Sequence, residues 1–240
     1  MKKALNECNF IDGELLLIDK PYGWTSFGVV TQIKKWTKAK IGHAGTLDPL
    51  ASGLMICCTG QKTKLLTALL GQKKEYTGVI CLGASTPTFD LESEPENFKE
   101  VDSITDEMIE NVRLEFIGLI TQFPPIHSAI KQGGKPVYEL AREGKEVTMK
   151  SREVMIDVFE ITKIALPEVH FKIACGSGTY IRSIANDFGE KLGCGAYLQA
   201  LIRTKIGEYC LEDAYEIDEM AAFFGSRMNA KIILPKINVQ

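Results

Sequence analysis

The sequence predicts an α+β fold, on two observations. Short apolar runs bounded by Gly, Pro and Asn recur from Glu14 to Arg203, and between them lie stretches with apolar residues at helical spacing. Two successive runs, Val154/Ile156/Val158 and Val169/Phe171/Ile173/Cys175, alternate with period two and predict an antiparallel strand pair. A chain of 240 residues is enough for one large domain or two small ones, and 45% hydrophobic with 25% charged residues is ordinary for a globular protein.

In order, Glu14–Asp19 reads as a short buried strand stopped by Lys20-Pro21-Tyr22-Gly23. Thr25 or Ser26 offers an N-cap, and Phe27, Val30, Ile33 and Trp36 mark the apolar face of a helix to about Thr37. A Gly/Pro-rich loop leads to a strand at about Leu54–Cys58, broken by Thr59-Gly60. Lys62–Leu70 reads as a helix with Leu65, Leu66 and Leu69 inward. Lys74 enters a strand through Ala84, with Tyr76 near its start, and 85–103 is an acidic, turn-rich segment. Ser103 with Asp106 resembles a capping box before a helix that ends at Gly118. Leu119–Gln122 is a brief strand. Residues 124–152 form a basic excursion of low apolar content, with a helix over about Val137–Glu143. After the antiparallel pair, Gly176–Thr179 opens a helix with Ile181, Ile184, Ala185, Phe188 and Leu192 inward. Leu198–Arg203 reads as a strand and Ile217–Phe224 as a short amphipathic helix.

Composition excludes several classes. No apolar run reaches the roughly 18 residues of a membrane helix, and MKKALNECNF lacks the apolar core of a secretory signal. Seven scattered cysteines without a CxxC pair argue for core thiols in a reducing cytoplasm, and against a zinc site. Net charge is −3, but it is segregated. Residues 31–74 carry eight lysines against Asp48 alone, and 131–152 carry six Lys/Arg against three glutamates, whereas 89–115 hold ten acids. A basic face of this kind suits a polyanion.

Two places look chemical. Gly42–Leu54 carries three glycines, His43 and Asp48, and Pro49 keeps the Asp48 backbone out of the α conformation. A lone carboxylate on a shaped loop among cations can serve as nucleophile, base or ion-pair anchor, or simply as a turn residue. Arg182 is the second. A cation in a helix's first turn opposes the macrodipole, so it needs a carboxylate or phosphate partner. The Gly176–Thr179 turn before it lacks the lysine of a phosphate-binding loop, which argues against a nucleotide enzyme.

Five segments then resemble the TruB class of pseudouridine synthases: Lys20-Pro-Tyr-Gly-Trp-Thr-Ser26, Gly42-His-Ala-Gly-Thr-Leu-Asp-Pro-Leu-Ala-Ser-Gly53, Lys74-Glu-Tyr76, Pro124-Pro-Ile-His-Ser-Ala129 and Gly178-Thr-Tyr-Ile-Arg-Ser-Ile-Ala185. The resemblance implies a bent, mixed, mostly antiparallel sheet flanked by helices, with the excursion as an RNA-clasping thumb. It implies a single catalytic domain over 1–240, with the C-terminal RNA-binding domain of many relatives absent or reduced to a stub in 208–240. It implies isomerisation of uridine 55 in the tRNA T-loop, without metal or organic cofactor. It also implies a monomer with tRNA as partner, needing no obligate protein partner and no membrane. In this light Asp48 is the nucleophile, attacking the ribose C1′ or supporting a glycal route, Tyr76 stacks on the target base and is a candidate to assist proton transfer, and Arg182 forms an ion pair with Asp48. Leu201 lines the pocket and His43 fills the space left by the flipped base. Gly42, Thr46, Lys20, Lys64, Lys131, Tyr138, Arg142 and Tyr180 are expected to meet RNA. A non-catalytic RNA-binding module on the same basic face is the alternative of another class.

Overall fold

The computed structural model describes residues 2–125, 131–132, 135–136 and 150–228, with the backbone alone given for 131–132, 135–136 and 226–228. Its strands are β1 (Leu15–Lys20), β2 (Ile41–Ala44), β3 (Ala51–Thr59), β4 (Lys74–Leu82), β5 (Gly118–Gln122), β6 (Lys131–Gln132), β7 (Lys135–Pro136), β8 (Arg152–Ala165), β9 (Glu168–Cys175), β10 (Ala196–Ile206), β11 (Tyr209–Cys210) and β12 (Tyr215–Glu216). The described α-helices are α1 (Ser26–Thr37), α2 (Leu66–Leu70), α3 (Asp106–Leu114), α4 (Ile181–Leu192) and α5 (Ile217–Met228). The strands form a mixed, mostly antiparallel sheet flanked by helices, the α+β class expected. Among the described residues no helix is long and apolar enough to cross a membrane.

The chain divides into two compact units, Met1–Tyr76 with Leu201–Gln240, and Thr77–Ala200. In the first, the strand order is β12-β1-β3-β10, with β2 on β3 and β11 on β10. The centre is β3. Met55 and Cys57 face a core of Leu16, Ile18, Val29, Ile33, Trp36 and Phe224. Leu54, Ile56 and Cys58 face a second core with Ala44, Leu69 and Ile206. A strand covered on both faces has no solvent side to alternate with, which is why it reads as an unbroken apolar run. α1 is capped by the Thr25 hydroxyl, which accepts from the Gly28 N–H. It buries Val29, Ile33 and Trp36, and Trp36 stacks on Phe224 at 5.6 Å between ring centroids. Phe27 is not on that face: it is 76% exposed, because the buried stripe starts at Val29.

In the second unit β9, β8 and β5 run antiparallel, and β9 buries Val169, Phe171, Ile173 and Cys175 as alternation demands. Phe116, Phe159, Phe171 and Phe188 make an aromatic core with centroid spacings of 5.8–6.2 Å. Five of the seven cysteines are buried, as core thiols should be.

Several boundaries differ from expectation. The 62–70 helix is a 3-10 segment, Gly60–Leu65, followed by the short α2, and Leu65 faces solvent. α3 is capped by Thr105, whose hydroxyl accepts from Met108 N–H, and not by Ser103. β2, β11 and β12 are additional strands, and the β10 strand runs five residues longer in all than the expected one. The expected helix at 137–143 and most of the 124–152 excursion lie outside the described residues, though the β6–β7 pair falls within it.

Candidate active site

Register places the cations that hold the Asp48 loop. Gly53 on β3 pairs with Lys20 on β1 and with Arg203 on β10. Directly opposed residues share a face, so two long cationic side chains flank a position that has no side chain of its own. Only glycine fits there. Gly53 has φ +99°, and an added Cβ would lie 2.5 Å from the Arg203 carbonyl oxygen and 2.9 Å from its nitrogen.

Both cations reach the loop between β2 and β3. Arg203, almost fully buried, donates from Nε to Leu54 O at 2.7 Å and from Nη2 to Gly45 O at 3.0 Å, one carbonyl on β3 and one at the start of the loop. Lys20 is fully buried, and its Nζ donates to Pro21 O (3.0 Å), Trp24 O (2.6 Å) and Pro49 O (3.3 Å). Three donors meet three acceptors, which uses the ammonium completely. Burial pushes the Lys20 pKa down to about 8, and the Arg203 charge adds to this, while Asp48 and Asp19 pull the other way. The Asp48 carboxylate is thus within electrostatic range of Lys20.

The residues on either side of Asp48 are fixed as well. Leu47 N–H donates to Ser26 Oγ and Ser26 O–H donates to Leu47 O, each at 2.8 Å. Pro49 O accepts from Gly23 N–H at 2.9 Å, and Ala51 N–H closes a turn onto Asp48 O at 3.1 Å. Asp48 therefore sits half-exposed on backbone tied at Gly45, Leu47, Pro49 and Leu54. The loop is glycine-rich in sequence and rigid in structure.

The other expected site residues of this unit are placed as follows. His43 is half-buried, with Nε2 at 3.3 Å from Thr46 Oγ1, and burial and the Arg203 charge lower its pKa. Leu201 is buried on β10, opposite Ala51 in register. Tyr76 is buried on β4 beside Glu75, whose carboxylate accepts from Thr204 Oγ1 at 3.0 Å. Two residues before it, Lys74 is also buried, and its Nζ donates to Leu70 O and Gln72 O. Thr46 and Lys64 are exposed and Gly42 is half-exposed. Lys20, expected to meet RNA, has its ammonium spent inside the protein.

In the second unit Arg182 is buried in the first turn of α4, and Nη1 lies 3.2 Å from Thr88 O and 3.5 Å from Asp90 Oδ2. Asp90 is itself buried, and its Oδ1 accepts from Glu92 N–H at 3.0 Å. Asp90 thus gives Arg182 one anionic neighbour within this unit. Tyr180, the N-cap residue of α4, exchanges two hydrogen bonds with the buried Gln122, at 2.8 and 3.0 Å, and carries Arg152 over its ring at 4.7 Å. Sequence reasoning missed Asp90, which is one acid among ten in 89–115, and Arg203, whose partners are carbonyl oxygens that no side-chain pattern reveals. The side chain of Lys131, with Tyr138, Arg142 and residues 126–129, lies outside the described residues.

A model of the N-terminal domain of TruB-family pseudouridylate synthases matches residues 33–181, and one of the tRNA pseudouridylate synthase B C-terminal domain matches 182–235. The chain belongs to the TruB family. Relatives of this TruB-family chain include proteins named tRNA pseudouridine synthase B from Flavobacterium johnsoniae (47% identical, covering 87% of this chain and 94% of the relative) and Phocaeicola vulgatus (43% identical, 94% and 99%). That of Chloroherpeton thalassium is 48% identical, covering 92% and 93%. Among solved structures, a Cbf5–Nop10–Gar1 complex matches with a TM-score of 0.69 at 28% identity, over 92% of this chain. An H/ACA RNP bound to a substrate RNA containing 2′-deoxyuridine matches with a TM-score of 0.66 at 26% identity. The chain spans 58% and 56% of those two chains.

Proposed function

We propose that this TruB-family protein converts a uridine in the T-loop of tRNA, position 55, to pseudouridine, with Asp48 as the nucleophile. The observation that carries the assignment of Asp48 is its mounting, a half-exposed carboxylate on backbone tied at four points. The relatives' shared name, at 43–48% identity over most of the chain, supports tRNA as the substrate.

The chemistry fits such a mounting. An Asp48 oxygen bonds to ribose C1′ as the N1–C1′ bond breaks, and the electron pair of that bond leaves with the uracil. The base turns within the pocket, and C5 attacks C1′ and expels the carboxylate. C5 then loses its proton and N1 gains one, so the product is an isomer of the substrate. A nucleophile held at a fixed distance from C1′ lowers the entropic part of the barrier, and the detached base must not escape. In this reading Tyr76 supplies a stacking face for the base, and Leu201 an apolar wall. Arg182, oriented by Asp90, supplies the positive charge that favours an ionised nucleophile. His43, whose pKa burial and the Arg203 charge lower, fills the gap left by the extruded nucleotide.

Asp48→Asn keeps the shape and removes the charge. On a T-loop transcript tritiated at uridine C5, the variant should release no tritium while binding RNA within a few-fold of the parent. Turnover by the variant refutes the assignment.

A further inference from the structure

The turn and helix start that brace Asp48 also carry two large exposed aromatic rings. Tyr22 is 58% exposed and Phe27 is 76% exposed. Neither is needed by the core. The buried stripe of α1 is Val29, Ile33 and Trp36, and the turn is anchored inward by Trp24, which packs against that cluster.

What distinguishes these two rings from scattered surface aromatics is their mounting. Tyr22 is next to Gly23, whose N–H donates to Pro49 O at 2.9 Å. Phe27 is next to Ser26, whose hydroxyl exchanges two 2.8 Å hydrogen bonds with Leu47. Leu47 and Pro49 are the two neighbours of Asp48, so each ring is one residue away from a tie to that aspartate's flank. Lys20 holds the carbonyls of Pro21 and Trp24, which fixes the turn from beneath. Gly28 N–H bonded to Thr25 Oγ1 fixes the helix start. The backbone that carries the rings is therefore held relative to the Asp48 loop without any ligand.

Charge and size narrow the partner. From Lys20 to Leu47 the chain has no acidic residue, and Lys34, Lys35, Lys38 and Lys40 are exposed. Two rings exposed to this degree offer roughly 300 Å² of apolar surface. That is well below the ~800 Å² per partner of a stable protein interface, and it is the scale of one or two nucleobases.

We propose that Tyr22 and Phe27 form a stacking platform for unpaired nucleotides of the RNA substrate adjoining the target uridine. Aromatic faces accept any base, because every base has a π-face, and a ring on tied backbone has only two side-chain torsions to fix on binding. The inference rests on the reading of the protein as an RNA-modifying enzyme and adds residues and a mode of contact to it.

The test measures binding of the parent and of Tyr22→Ala, Phe27→Ala and the double variant to a T-arm stem–loop, by filter retention across a salt series. Each single variant should weaken binding on the order of tenfold, with the slope of log affinity against log salt unchanged because no charge is lost. Tyr22→Phe and Phe27→Tyr should bind like the parent. Abasic substitutions walked through the loop should weaken the parent at one or two positions and leave the double variant indifferent there. Urea midpoints report folding separately. A double variant that binds within twofold of the parent overturns the platform, as does equal loss in the ring-preserving variants. A parent that binds the stem–loop but makes no pseudouridine overturns the proposed function instead, and leaves the stacking result readable on its own.

Discussion

Replacing Arg203 by Met tests whether the Asp48 loop is held by buried cations. The guanidinium makes two charge-assisted hydrogen bonds, to a carbonyl on β3 and to one at the start of the loop, at 2.7 and 3.0 Å. Each such bond contributes ~1.5–3 kcal/mol, so the pair contributes about 3–6 kcal/mol. Met fills most of the volume, recovers some apolar contact and needs no charge desolvated, which offsets part of the loss. The expected net destabilisation is about 2–4 kcal/mol by urea titration, and at ~2–4 °C per kcal/mol for a chain of this size the midpoint falls by roughly 5–15 °C. A fold with about 5–15 kcal/mol in hand survives this at 25 °C. Catalysis should suffer more than folding, because a carboxylate displaced by about 1 Å from the sugar loses on the order of a hundredfold in rate. Single-turnover conversion of a T-loop transcript at saturating enzyme reads that directly. Arg203→Lys, which can restore one of the two bonds, should fall between parent and Met. A Met variant destabilised by under about 1 kcal/mol with an undiminished single-turnover rate refutes the bracing argument.

Three further outcomes follow from the same geometry. Gly53→Ala puts a Cβ 2.5 Å from a backbone oxygen at φ +99°, so strain and overlap together should cost about 3 kcal/mol or more, seen as a lowered urea midpoint; Ser52→Ala next to it is the control and should be nearly neutral. Asp90→Asn leaves the buried Arg182 without that carboxylate and should lower the single-turnover rate at least tenfold on the scale of ~1.4 kcal/mol per decade, while T-arm affinity stays within a few-fold in a binding titration. For Lys20 the folded chain gives up its proton at about 8 and the unfolded chain near the ordinary 10.5. The unfolded state therefore binds more protons across that window, so stability should rise with pH there in the parent relative to Lys20→Met, checked by urea midpoints at several pH values from about 7.5 to 10.5.

Local chemistry was legible in the sequence where it is stated by neighbours in the chain. Pro49 and the glycines mark Asp48's loop, Thr25 marks the start of α1, and the alternation in 169–175 marks β9. Arg182's unfavourable place in a first turn correctly demands an anionic neighbour, though the demand does not say which acid answers it. The misses share one cause. β2 is four residues with Gly42-His43 at its centre and little apolar signal, and β11 and β12 are two residues each, so only their pairing partners make them strands. Phe27 falls at helical spacing from Val30, yet the stripe is rotated by what lies against α1, which a helix's own sequence does not record.

The brace around Asp48 is the clearest instance. Lys20, Gly53 and Arg203 stand far apart in the chain and become one row only when β1, β3 and β10 align. Read singly, Lys20 looks like a phosphate contact, Gly53 like a loop glycine and Arg203 like the end of a strand. In register, the glycine's missing side chain lets the Arg203 backbone approach closely, and the two cations lie on either side of it. Burying two cations is costly unless every donor finds an acceptor, and the acceptors used are backbone carbonyls of the loop and the turn beside it. The cost of burial and the fixing of the loop thus share the same contacts: the Lys20 ammonium and two Arg203 N–H groups are bonded to backbone carbonyls of the loop, the turn and β3, and the loop cannot move without breaking its share of those bonds. A flexible-looking Gly/Pro sequence is in this way converted into a fixed seat for one half-exposed carboxylate.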